Sequence, residues 1–145
     1  RRSSDLAVIA TDTQRLSNLI KKYDTPANPE LFNDVVTVNQ AAQTTLKVGT
    51  VMGKITASGK YIAAVETAVD GSKVAAGIFI GDANGLAQDT VIAATTDTPA
   101  LLLTRGKVVI SKDALFLDAT YNDNTKKNVV YASLKALGIL VETTV

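Results

Sequence analysis

The sequence predicts a mainly β domain, small and barrel-like, with one short C-terminal helix and an N-terminal arm that carries a helix of its own. Three observations lead there. A three-and-four spacing of apolar residues runs through the first two dozen positions and returns briefly near the end, and from Asp34 onward short β-branched runs alternate with glycine-marked turns. Many short strands with one late helix fit a small β domain better than alternating α/β units. Hydrophobic residues make up 46% of the 145 positions and aromatics only 5%, so the core must be mostly Val, Ile, Leu and Ala. This length suits one domain with an appended arm. The expected division is residues 1–33 as arm and Pro-containing linker, and 34–145 as the β domain.

In the arm, Leu6, Ile9, Thr13, Leu16, Ile20 and Tyr23 recur alternately three and four residues apart. On a helix they form one stripe, and Leu16, Leu19, Ile20 and Tyr23 widen it into a candidate intermolecular face. Lys21 and Lys22 would fall in the last turn, where cations complement the helix dipole. Pro26 and Pro29 then stop the helix, because proline removes a donor and biases its predecessor to extended geometry. Up to Asp34 the five basic and five acidic residues cancel, so the adhesive feature is apolar. The stripe either lies on its own domain or a neighbour, or forms a coiled-coil seam between copies. It is shorter than the three to four heptads that define such a seam.

The β elements follow in order. Val35, Val36, Thr37 and Val38 are favourable in a strand and poor in a helix. Gly49, Gly53 and Gly59 divide the stretch from Leu46 to Thr56 into short strands with tight bends. Ala57-Ser58-Gly59-Lys60 turns into a strand from Tyr61 to Val65. Asp70-Gly71 is a hairpin-type turn before Val74–Ile80, and Gly81–Gly85 is a loop. Thr90–Thr95, Leu101–Thr104 and Lys107–Ile110 read as further strands. Asn122-Asp123-Asn124 offers N-cap side chains to a helix bearing Val130, Leu134 and Leu137, Gly138 sits at its C-cap, and Ile139–Val141 closes as a strand.

The composition excludes most chemistry. With no His and no Cys there is no Ser-His-Asp or Cys-His nucleophile, no imidazole base, no zinc or haem site and no disulfide. Gly77, Gly81 and Gly85 lack the Lys-Ser/Thr of a phosphate loop, and Asp82-Ala83-Asn84-Gly85 lacks the further acidic ligands of a calcium loop. Ser58 and Lys60 could be drawn as a dyad, but that chemistry needs a buried lysine and nothing around this turn suggests burial. Lys126 and Lys127 open the late helix against its dipole, which anticipates an acidic or capping partner. Tyr61, Tyr121 and Tyr131 read as packing or interface residues. The expectation is therefore no catalytic residue, no metal and no cofactor. A net charge of +1 argues against direct nucleic-acid binding, and no run reaches the roughly 18 apolar residues of a membrane span. The protein reads as soluble.

Two stretches carry a family resemblance. Leu46-Lys47-Val48-Gly49-Thr50-Val51-Met52-Gly53-Lys54-Ile55-Thr56-Ala57-Ser58-Gly59-Lys60-Tyr61, then Ala68-Val69-Asp70-Gly71-Ser72-Lys73-Val74-Ala75-Ala76-Gly77-Ile78, resemble the lambda-type head decoration proteins of tailed bacteriophages. Asp123-Asn124-Thr125-Lys126-Lys127, an apolar helix and Ala136-Leu137-Gly138-Ile139-Leu140-Val141 extend the likeness, which covers roughly residues 35–142. The resemblance implies a β-clip-like fold and a homotrimer on the outer surface of the expanded capsid, made in the host cytoplasm. It implies the major capsid protein as partner, with neighbouring trimers in reach. It also implies an arm segment, Asp34, Val35, Val36, Thr37, Val38 and Asn39, that adds a strand to the capsid protein. An unpaired β-branched strand supports that role, although the same residues could form an edge strand of their own domain. The alternative is another trimeric β-rich virion component, such as a tail, fibre or spike-base protein.

Overall fold

β-branched and aliphatic residues in short runs can bury themselves only by pairing, and most of the chain does so. The computed structural model describes residues 19–23, 33–106 and 108–143. Five strands form a ring-like sheet: β2 (Asn33–Val38), β5 (Tyr61–Ala63), β4 (Val51–Lys54), β6 (Ala75–Asp82) and β8 (Thr98–Leu103). β2 and β8 pair antiparallel without a break, from Asn33↔Leu103 to Val38↔Thr98. β8 pairs with β6, β6 with β4 and β4 with β5, all antiparallel. The ring returns to β2 through one parallel pair, Val38↔Tyr61, so its last seam is a notch rather than a ladder. A second sheet has the order β1 (Ile20–Tyr23), β9 (Val108–Ser111), β10 (Ile139–Glu142), and β3 (Thr44–Leu46) pairs with β7 (Thr90–Ile92). The fold is mainly β with several sheets and one C-terminal helix, α1 (Asn124–Ala136), as the sequence predicts.

Side-chain alternation in the ring strands builds two cores back to back. Val38, Leu46, Met52, Phe79, Ile92, Ala100 and Leu102 fill one, with Val36, Tyr61 and Ala63 packed on it. Val51, Ile78, Ile80 and Leu103 face the other, where they meet Leu19, Val108, Ile110, Val130, Leu134 and Ile139. Thus Phe79 and its neighbours Ile78 and Ile80 serve opposite cores, which is why β6 is apolar on both faces. The register shifts in β4 beside Gly53. At that point a Cβ would overlap the backbone of Ser72, so only glycine lets the loop before β6 cross β4 so closely.

The helix is bounded as its caps dictate. The Asp123 carboxylate accepts a 2.8 Å hydrogen bond from the Lys126 N–H, and Gly138 adopts φ +92° just past the C-cap Leu137. Lys126 finds the partners its position calls for: Asn122 Oδ1 at 3.2 Å and Glu66 at 3.8 Å.

The arm departs from expectation. Ile20–Tyr23, read as the last turn of a helix, is a strand antiparallel to β9, with Ile20 opposite Ile110 and Tyr23 opposite Val108. Apolar spacing reports which side chains share a face, whereas the open edge of β9 offers backbone partners, and pairing there overrides the local pattern. Leu19 is fully buried in the domain's own core. Residues 19–23 are therefore part of the folded body. The expected helix over the preceding residues, Leu16 and the proline linker lie outside the described residues.

Candidate functional site

The segment expected to be a free arm, Asp34–Asn39, lies in the ring as β2 and the residue after it. One edge is taken by β8 over the whole strand, which corrects the picture of a strand with both edges open. Strand alternation sorts its side chains. Val38 is buried in the ring core and Val36 packs against it, while Val35 is 60% exposed and Thr37 is exposed. Asp34, on the Val36 side, stands at the end of the strand. Its carboxylate accepts from Thr104 Oγ1 at 2.7 Å and from the Arg105 guanidinium at 2.6 Å. The Arg105 contact, then that of Thr104, holds the Asp34 carboxyl below the usual 3.8.

The other end of β2 is tied differently. The Asn39 N–H donates to the Tyr61 carbonyl at 3.1 Å, and Asn39 Nδ2 donates to Asp97 at 2.6 Å. Lys60 Nζ lies 2.9 Å from the same Asp97 carboxylate. The hydrogen bond from Asn39, then that from Lys60, lowers the Asp97 pKa. Because the Asn39 N–H points toward β5, alternation sends the N–H and C=O of Val35 and the N–H of Thr37 to that same side. Among the described residues no strand pairs with them ahead of the Val38↔Tyr61 pair. Among the described residues β2 therefore presents a short unpaired outer edge, with Val35 and Thr37 exposed along it.

The remaining sequence candidates resolve simply. Leu19 is enclosed within its own subunit, and Ile20 and Tyr23 sit on a strand instead of a helix face. Lys60 is committed to Asp97, and the Ser58 hydroxyl accepts from the Lys60 N–H at 3.2 Å, so no Ser–Lys dyad is formed. Burial is the leading cause that raises the pKa of Tyr61, Tyr121 and Tyr131, which keeps all three protonated at neutral pH. The Tyr121 hydroxyl donates to the Lys73 carbonyl at 2.9 Å, a packing role. Among the described residues no three carboxylates gather into a metal site, and no helix is long and apolar enough to cross a membrane.

A strand edge left open among the described residues is suited to pairing with a partner strand. A family model described as bacteriophage lambda head decoration protein D matches residues 10–139. The chain belongs to that family. No curated protein matches it. Membership makes this a structural protein of the phage head, associated with the capsid in the virion. The match begins at residue 10, well ahead of the motifs that carry the sequence resemblance, and so takes in Leu19 and β1.

The head decoration protein has one surface that the sequence reading passed over. Val74 and Val129, both more than half exposed, line a cleft of about 300 Å³ with Glu66, Lys73, Tyr121, Thr125 and Lys126. The signal was present in Val129, which falls off the Val130, Leu134, Leu137 stripe and places an apolar side chain on the solvent side of α1. Val74 gave no such signal, since it reads as an ordinary strand residue.

Proposed function

We propose that this head decoration protein is a cementing protein: it binds the expanded head as a trimer, bridges neighbouring capsomers and resists the outward pressure of packaged DNA. The observation that carries this reading is the unpaired outer edge of β2 in a chain of this family. An extended segment of the major capsid protein pairs along Val35 and Thr37, gaining main-chain hydrogen bonds that the free edge leaves to water. The segment Asp34–Asn39 thus acts from within the ring: β8 holds one side and the shell takes the other. This also removes the hazard of an open edge, since the shell covers it once the subunit is seated.

The energetics suit a clamp. A standard contact buries roughly 1,600 Å², and three linked contacts per trimer gain further through effective concentration. A net charge of +1 lets many copies sit side by side without strong repulsion.

The test is co-sedimentation of the purified protein with expanded, empty heads and with unexpanded ones. Retention on the expanded shell, and greater resistance of those heads to rupture, is the expected result. A protein that stays in the supernatant with both would refute the cementing role.

A further inference from the structure

The five strands of the ring are not joined equally. β2 and β8 share six residue pairs, β6 and β8 four, and β4 shares three each with β5 and β6. β2 and β5 share one, Val38↔Tyr61, flanked by the bond from the Asn39 N–H to the Tyr61 carbonyl. At this thinnest seam the chain substitutes a side-chain node for a ladder. Asp97 immediately precedes β8, Asn39 follows β2 and Lys60 precedes β5. The Asp97 carboxylate holds both of the others, Asn39 Nδ2 at 2.6 Å and Lys60 Nζ at 2.9 Å. One carboxylate therefore ties together three strand ends at the place where the backbone contributes least.

The surroundings allow that place to move. The side chains of Asp97 and Lys60 are 53% and 39% exposed, so water can replace either partner. The turn ahead of β5 is held within itself: the Ile55 N–H donates to the Lys60 carbonyl at 2.8 Å and the Gly59 N–H to the Ile55 carbonyl at 2.8 Å. Beyond the seam Tyr61 pairs with Lys54 of β4, packs on the ring core and takes a 5.9 Å approach of Lys54 Nζ to its ring, so the turn and the start of β5 stay joined to β4 rather than to β2.

We propose that Asp97 is the latch of the β2–β5 seam, and that release of this latch lets the turn with the start of β5 leave β2 as a unit. Closed, the ring is continuous. Open, the unpaired edge of β2 runs on through Asn39, a longer template for an incoming strand. This deepens the docking reading, because that is the edge on which the shell strand is placed. The latch itself, however, is a property of the free protein and is measured without the shell.

The experiment is residue-resolved amide hydrogen exchange on the full chain, comparing wild type with Asp97→Ala and Lys60→Ala. Loss of an exposed ion pair and a side-chain hydrogen bond is expected to speed exchange of the Asn39 amide at least about three-fold. The amides of Val36 and Val38, which face β8, keep their wild-type rates. An unchanged Asn39 rate in Asp97→Ala overturns the latch, and so does an equal rise at Asn39, Val36 and Val38, which would mark a uniform loss of stability. Binding of the same variants to expanded heads separates the two ideas. Selective exchange at Asn39, with neither variant nor wild type binding heads, would keep the latch and remove the docking role.

Discussion

Arg105 donates a 2.6 Å hydrogen bond to Asp34, joining the second residue beyond β8 to the second residue of β2. With Thr104 on the same carboxylate, it pins the far end of the six-pair β2–β8 ladder, as Asp97 and Asn39 pin the near end. Both side chains are well exposed, 55% for Arg105 and 41% for Asp34, so solvent weakens the pair. Arg105→Ala should cost about 0.2–1 kcal/mol in a urea titration, the range of exposed ion pairs. The acid response has a fixed sign. The Asp34 and Asp97 carboxyls are lowered from 3.8 in the folded protein. Their contribution is therefore present above that value and is lost as pH falls through the lower folded values. Arg105→Ala should lower the midpoint at pH 7 and leave it close to wild type at the acid end of that window. A deficit that does not shrink in acid would contradict the assignment.

Leu19 should behave as a core residue. It is fully enclosed with Val108, Ile110 and Ile139. Leu19→Ala is expected to destabilise the subunit by about 2–5 kcal/mol, read by chemical denaturation, without a change of oligomeric state in ultracentrifugation. Loss of assembly with unchanged subunit stability would restore it to an intermolecular face.

Gly53 should tolerate no side chain. A Cβ there would meet the Ser72 backbone, and neither main chain can give way cheaply. Gly53→Ala is expected to cost about 1–3 kcal/mol, the range for overpacking. Gly59→Ala is the contrast, because its Cβ meets only Lys54 at 3.9 Å, although its φ of +73° still strains alanine. A thermal melt in which Gly53→Ala matches wild type would refute the close crossing.

The two faces of the β2 backbone should separate under proline. Val35→Pro removes an N–H from the unpaired outer edge, which an edge strand accommodates. Val36→Pro removes one aimed at β8 and breaks the ladder. Circular dichroism should find Val35→Pro folded and Val36→Pro largely unfolded, while co-sedimentation finds Val35→Pro released from expanded heads. Full binding by a folded Val35→Pro would exclude strand pairing along this edge.

Legibility in the sequence followed the range of the interaction. The run Val35–Val38, the β texture to Ile110 and the helix between Asp123 and Gly138 are local facts, written in branching, caps and a left-handed glycine, and they stand in the structure. Asp70-Gly71 was legible as a turn but not as a hairpin. Ser72 donates to the Asp70 carboxylate through N–H and hydroxyl and Gly71 takes φ +97°, yet β5 and β6 on either side pair with β4 rather than with each other. Ile20–Tyr23 misled because helical spacing says nothing of a strand edge some ninety residues on, at Val108–Ile110. That Val35–Val38 forms an edge strand stood in the sequence only as one of two readings, and which of its backbone groups stay open could not be read. The opening depends on where β5 turns away after one pair, and no residue within Asp34–Asn39 encodes that.

The seat proposed for this protein on the expanded head is the outer edge of β2, from which it holds capsomers together. Electron cryo-microscopy of expanded heads decorated with the full chain tests it most directly. The expected result is trimeric density on the outer surface of the shell, with continuous density joining the outer edge of β2 at Val35 to a capsid strand. Heads that stay bare, or density held by a surface remote from β2, would contradict it.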